Sequence, residues 1–422
     1  MTLLPSWRRL SAVAATGLLV LGFAAYIARN TGNPLDFHTF YYAATAESHG
    51  ADPYRIESLW AAAGKGVELP YLYPPVTLAL FVPFTLLPMS TAALLWLGLK
   101  LVLLAALVVV WRRWFLRDTS LALIVGVTIL GFNGAALWDL ANGNVAVVEQ
   151  FVLWTAFACY VAERRGPFAL LVATAAVFKL LPIAFLGLLL VPSRRHGRSF
   201  GWLLAGLALF AALVFLPWAL DLDWAHGFLP AAPAQRPLGE TNPCVLGMLD
   251  TWMGPVRWSG DGWSSGAGAR TLTSGALDPA VLLWGIYCAV VLVTSRALIR
   301  RVRSSRDATF SVVVASLAFA LLAPRMMVYS YLGLVVPALL VVRDSFGSRK
   351  GRAAAIVLIV IQGVYLFARG FAPARIPAPP YLVSVLAMNL SFFIAYGLWL
   401  ALGRSPGTAS TPGSRSRTST AG

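Results

Sequence analysis

Long apolar runs recur along this sequence, and they restrict what it can become more than any other feature. They measure about 15–22 residues each, close to the roughly 20 that one helical crossing of a bilayer requires. Of 422 residues, 59% are hydrophobic and 12% charged, whereas soluble domains carry about a quarter charged. The pattern predicts an all-α integral membrane protein. About twelve transmembrane helices are expected, near 10–28, 90–111, 119–138, 145–162, 166–179, 181–192, 200–219, 279–297, 309–323, 327–342, 353–369 and 381–402.

A net charge of +16 in a soluble chain would suggest nucleic acid. Here arginine collects in the short connections, at Arg112, Arg113 and Arg117, at Arg164 and Arg165, at Arg194, Arg195 and Arg198, and across 296–306 and 343–352. With the N-terminus inside, all of these connections fall on the cytoplasmic face, as the positive-inside rule demands. That alternation needs two local choices. The run 75–88, interrupted by Pro83, must not cross, and 167–191 must double back near Lys179 and Pro182. Two large extracytoplasmic loops, 29–89 and 220–278, then hold most of the acidic residues. Residues 1–402 form one membrane domain, and 403–422, rich in Ser, Thr, Gly and Pro, reads as a disordered cytoplasmic tail. Cys159, Cys244 and Cys288 imply neither a disulfide framework nor a metal cluster.

The stretch that follows the first span, from Asn33 and Pro34 through Asp36, Phe37, His38, Phe40 and Tyr41, carries the first candidate chemistry. A partly buried carboxylate just outside a span can take the proton of an attacking hydroxyl. An aspartate at a helix start can equally cap backbone N–H groups. The aromatics at helical spacing dock a short helix at the interface. It closes at the turn containing Gly50, Asp52 and Pro53. His38 and Tyr41 are candidate substrate contacts beside Asp36, whereas Glu47 and His49 read as loop charges.

Lys179 stands inside an apolar run, where an ammonium must snorkel, pair or bind an anion such as phosphate. Lys100 is placed the same way and is expected to pair with Glu149 or to snorkel. Asn142 and Asn144, flanking Gly143, can hydrogen-bond sugar hydroxyls or cap the next helix, and Asp139 is a second acid or a loop charge. Asp221 opens the second large loop amid tryptophans that suit either carbohydrate or the membrane interface. Arg325, after Pro324 and near Tyr329, can clamp a phosphate. Tyr73, in the sequence Leu72-Tyr73-Pro74-Pro75, completes the candidate contacts.

Taken in order, Asp36, the turn from Gly50 to Tyr54, Leu72-Tyr73-Pro74-Pro75, Asn142-Gly143-Asn144, Lys179 before Pro182 and the Pro324 turn resemble glycosyltransferase family 87. The resemblance implies a C-type glycosyltransferase architecture with a large first extracytoplasmic loop. It implies a plasma-membrane enzyme of cell-envelope biosynthesis with polyprenyl-phosphate-linked sugar as donor and no metal or other cofactor. Asp36 would be the general base of an inverting transfer to a lipid-linked or cell-wall glycan acceptor. Lys179 and Arg325 would stabilise the phosphate leaving group. Mannose is the first choice of sugar and arabinofuranose the second. A flippase of a lipid-linked sugar would share the spans but has less use for acidic outer loops.

Overall fold

In the computed structural model, the described residues are 4–30, 34–64, 66–192, 196–220, 227–228, 242–253, 279–305, 307–371 and 386–404. They contain helices and turns and no strand. The helices in chain order are α1 (Leu4–Asn30), α2 (Leu35–Ser48), α3 (Ile56–Ala63), α4 (Leu78–Phe81), α5 (Met89–Trp114), α6 (Leu121–Asn142), α7 (Ala146–Val161) and α8 (Arg165–Lys179). After them come α9 (His196–Ala219), α10 (Val245–Met253), α11 (Pro279–Thr294), α12 (Arg296–Ser305), α13 (Ala308–Leu322), α14 (Val335–Ser345), α15 (Arg349–Phe371) and α16 (Leu390–Arg404). Four 3-10 helices, Pro75–Thr77, Val82–Leu86, Leu181–Leu190 and Val328–Leu334, lie between them.

Among the described residues, five helices are long and apolar enough to cross a membrane, or six if the bent pair α11 and α12 counts as one. The remaining apolar helices are shorter. Leucine, valine and isoleucine side chains such as Leu94, Leu95, Val102, Ile286, Val290, Val357, Leu358 and Ile361 are exposed. Such a surface suits lipid contact rather than water. The proline-interrupted run after Pro74 breaks into Pro75–Thr77, α4 and Val82–Leu86. At 1.5–2.0 Å per residue, these pieces fall short of a hydrocarbon core about 30 Å thick.

The expected reversal near Lys179 is present. Leu180 takes a left-handed backbone (φ 60°) and ends α8. The chain then folds back, because Tyr160 touches residues on both limbs. Its ring lies 5.1 Å from that of Phe168, and its hydroxyl donates to the carbonyl of Leu188 at 3.2 Å. Arg112 and Arg113 lie in the last turn of α5, Arg165 starts α8 and Arg343 lies in the last turn of α14. Lys179 ends α8 at the other end from Arg165, Trp96 lies in the N-terminal half of α5, and Arg325 lies in the segment between α13 and the 3-10 turn that precedes α14.

The largest helix-helix contact joins α6 to α15. It is close because Gly363 has no side chain: a Cβ there would run into the Leu130 carbonyl. Replacing Gly363 with alanine therefore forces backbone apart and should lower thermal stability by several degrees in detergent. Gly98→Ala has open space around it and should be neutral or gain up to about 1 kcal/mol from helix propensity. Equal unfolding temperatures for the two variants would contradict this packing.

Candidate active site

Asp36 is the second residue of α2, whose N-cap is Pro34, which supplies no side-chain capping bond. The helix is pinned by its apolar face. Phe37 stacks on Trp96 at 5.9 Å, and Phe40 on Phe81 at 4.6 Å. These aromatics dock into a buried cluster rather than a membrane interface. The first turn of α2 presses against the turn between α6 and α7. Gly143 adopts φ 71°, and a Cβ there would sit 2.6 Å from the Cβ of Phe37. Only glycine fits both the left-handed backbone and the approach.

That approach brings Asn144 to Asp36. The Asn144 side chain favours the ionised form of the Asp36 carboxyl, and its amide donates to the Tyr73 hydroxyl at 3.2 Å. Its oxygen accepts the backbone N–H of Ala146 at 3.1 Å, which is the capping reading; Asn144 is fully buried and does not line the cavity, so it is not placed to meet sugar hydroxyls as expected. Burial, reinforced by Asp139, raises the Asp36 carboxyl to about 6, against the pull of Asn144, Lys100 and Lys179. Burial and Asp36 push the Tyr73 phenol upward, so it remains a neutral hydroxyl.

Asp36 lines a cavity of about 900 Å³ together with Tyr73, Asn142, Glu149, Lys179, Arg325 and Tyr329. The rest of the wall is largely apolar, with Leu153, Phe157, Phe185 and Phe319 among its side chains. Ligand cavities of this size, mostly apolar with a few convergent polar groups, are usual for small molecules and lipid headgroups.

The charges inside are paired in an orderly way. Lys179 lies 2.8 Å from Glu149, donates to Ser330 at 3.0 Å and sits 4.6 Å above the ring of Tyr329. Lys100 is paired with Asp139 at 2.8 Å, both fully buried, and not with Glu149 as the sequence suggested. The reason is register: Lys100 faces the end of α6, while Glu149, in the first turn of α7, faces α8. Among the described residues, Asp36 and Arg325 make no ion pair, so one carboxylate and one guanidinium remain to face a ligand.

Other expected contacts fall elsewhere. The Tyr41 hydroxyl donates to Leu87 at 2.8 Å, and the His38 ring faces Tyr42 at 6.2 Å; neither residue lines the cavity. Thr39 and Phe40 take the places on its wall that these two were expected to fill. Asp221 lies outside the described residues. Trp138, Asn242 and Ser330 line the cavity without having been singled out in the sequence.

The glycosyltransferase family 87 model matches residues 71–330, well over half of the chain. The chain belongs to glycosyltransferase family 87. Most of the cavity wall of this family 87 chain, from Tyr73 to Ser330, lies within the matched stretch, and Asp36 precedes it. The chain is also 27% identical, over 263 residues, to the polyprenol-phosphate-mannose-dependent alpha-(1-2)-phosphatidylinositol pentamannoside mannosyltransferase of Mycobacterium tuberculosis (strain CDC 1551 / Oshkosh). The aligned stretch covers 58% of this chain and 56% of that relative, so the chain spans little more than half the relative's length.

The Lys179–Glu149 pair generates a direct test. Removing the ammonium alone, in Lys179→Met, strands a buried carboxylate and should cost roughly 3 kcal/mol. The double variant Lys179→Met/Glu149→Leu should recover most of that stability. Thermal unfolding that ranks the double variant below the single one would contradict the pairing.

Proposed function

We propose that this chain transfers a sugar, mannose in the first instance, from polyprenyl phosphate to a hydroxyl of a lipid-linked or cell-wall glycan acceptor, with inversion. The observation carrying this reading is that, of the four charged residues lining the cavity, Asp36 and Arg325 make no ion pair among the described residues. The acceptor oxygen attacks the anomeric carbon, and its proton passes to the Asp36 carboxylate. The bond from that carbon to the phosphate oxygen breaks, and the phosphate leaves with the electron pair. Arg325 neutralises the charge that grows there, an effect strengthened where water is excluded. Lys179 contributes less than its charge suggests, because Glu149 already balances it. Asn144 and Tyr73 orient the base, and Asn142 is positioned for sugar hydroxyls.

The apolar wall around Phe157, Phe185 and Phe319 suits the first isoprene units of a lipid donor. Mannose is preferred over arabinofuranose because the relative's name specifies polyprenol-phosphate-mannose. We also infer about twelve crossings of a plasma membrane, with the cavity on the extracytoplasmic side. Arginine-rich ends opposite the cavity support that orientation. No metal is required in this scheme, since phosphate is a competent leaving group.

Transfer of labelled mannose from polyprenyl-phosphate mannose by the purified protein tests the reading. Asp36→Asn should reduce it by about 100-fold or more. Because the base must be unprotonated, the wild-type rate should rise through pH about 6 and level off above it. A carboxyl raised above its ordinary value favours the folded state when protonated, and that contribution fades as pH climbs through about 6. Asp36→Asn should therefore match or exceed the wild-type melting temperature at pH 7.5. Transfer that survives in Asp36→Asn, or lipid movement across vesicles without transfer, contradicts the proposal.

A further inference from the structure

Behind the cavity wall, three side chains that do not line it converge on the turn carrying Asn144. From α5, Trp96 donates its indole N–H to the carbonyl of Gly143 at 2.7 Å. One helical turn on, the Lys100 ammonium lies 2.6 Å from the backbone carbonyl of Asp139 and 2.8 Å from its carboxylate. The other carboxylate oxygen of Asp139 accepts the N–H of Ala146 at 2.9 Å, and its carbonyl accepts the N–H of Asn144 at 3.1 Å. Trp96, Lys100 and Asp139 are all buried, and none belongs to the cavity lining.

A buried ion pair is poor evidence for stability, because apolar residues of similar volume often serve as well or better. Fixing one arrangement against others is the better-attested use of such pairs. Here the arrangement fixed is the turn from 139 to 146, and Asn144 is the residue it projects toward Asp36 and Tyr73. We propose that Trp96, Lys100 and Asp139 are positioning residues for the reaction: they hold the Asn144 amide against the Asp36 carboxyl and so set the base's orientation and proton affinity.

The inference rests on Asp36 acting as the base. Around it stand Lys100 and Asp139 from α5 and α6, Glu149 from α7, Lys179 from α8, Tyr73, and Arg325 and Tyr329 beyond α13. Removing Lys100 and Asp139 together deletes one charge of each sign. What remains is the loss of Asn144's influence, which favours the ionised carboxyl. Releasing it moves the acidic limb of the rate profile toward higher pH.

The test compares wild type, Lys100→Met/Asp139→Leu, Trp96→Phe and Asn144→Ala in the transfer assay, with melting temperatures alongside. The double variant should lose about 10- to 100-fold in kcat, with KM for polyprenyl-phosphate mannose changed less than about 2-fold. Its acidic limb should move up in pH, and adding Asn144→Ala should cost little more, since both act on one contact. Trp96→Phe removes a hydrogen bond and no charge. It should show the same changes on a smaller scale, and it carries the test if the double variant does not fold. A folded variant with wild-type kcat and an unmoved limb overturns the inference, as does full additivity with Asn144→Ala. Survival of transfer in Asp36→Asn would instead overturn the assignment of the base itself.

Discussion

Charge inside an apolar helical body must be compensated, and the interior of this molecule is organised by how that is achieved. Lys100 finds Asp139, and Lys179 finds Glu149, each at 2.8 Å. These pairs tie α5 to α6 and α7 to α8. They also leave the cavity nearly neutral apart from two groups, Asp36 and Arg325. A ligand that brings a phosphate and a nucleophilic hydroxyl is complementary to that residue of charge. An uncharged ligand would leave both groups desolvated without a partner, at considerable cost.

The second constraint is steric. The site comes together because two backbones meet where neither has a side chain in the way: Gly143 against Phe37 at the cavity, and Gly363 against Leu130 deeper in the bundle. The first contact places a carboxylate from the start of α2 beside an amide from the turn after α6. These residues are more than a hundred positions apart in the chain, so the contact depends on the whole bundle being assembled. A raised Asp36 carboxyl, at about 6, is the electrostatic consequence of that enclosure.

Much of the fold could be read directly from the apolar runs. The run expected at 90–111 is α5 at Met89–Trp114, long and apolar enough to cross, and the run at 145–162 is the shorter apolar helix α7 at Ala146–Val161. The reversal after Lys179 follows from the proline and from the arginine count on either side. Partners were less legible. Two lysines and two acids in apolar surroundings announce that pairs exist, but which acid meets which lysine depends on the mutual rotation of four helices. The misplacement of His38 and Tyr41 was avoidable. At about 100° per residue, they lie roughly 160° and 140° around the helix from Asp36, whereas Thr39 and Phe40 lie within about 60° of it. Those two do line the cavity. In the sequence Glu149 was expected only as a possible partner of Lys100, because its actual role depends on Lys179 arriving from the following helix.

The central claim is that the two unpartnered charges flank the bond that breaks. Cryo-electron microscopy of the protein with a non-transferable phosphonate analogue of polyprenyl-phosphate mannose tests it most directly. The account predicts the phosphonate against the Arg325 guanidinium, the sugar ring within the cavity, and the anomeric carbon open to attack from the side of Asp36. A phosphonate bound away from Arg325, or a sugar whose anomeric carbon is turned from Asp36, would contradict it.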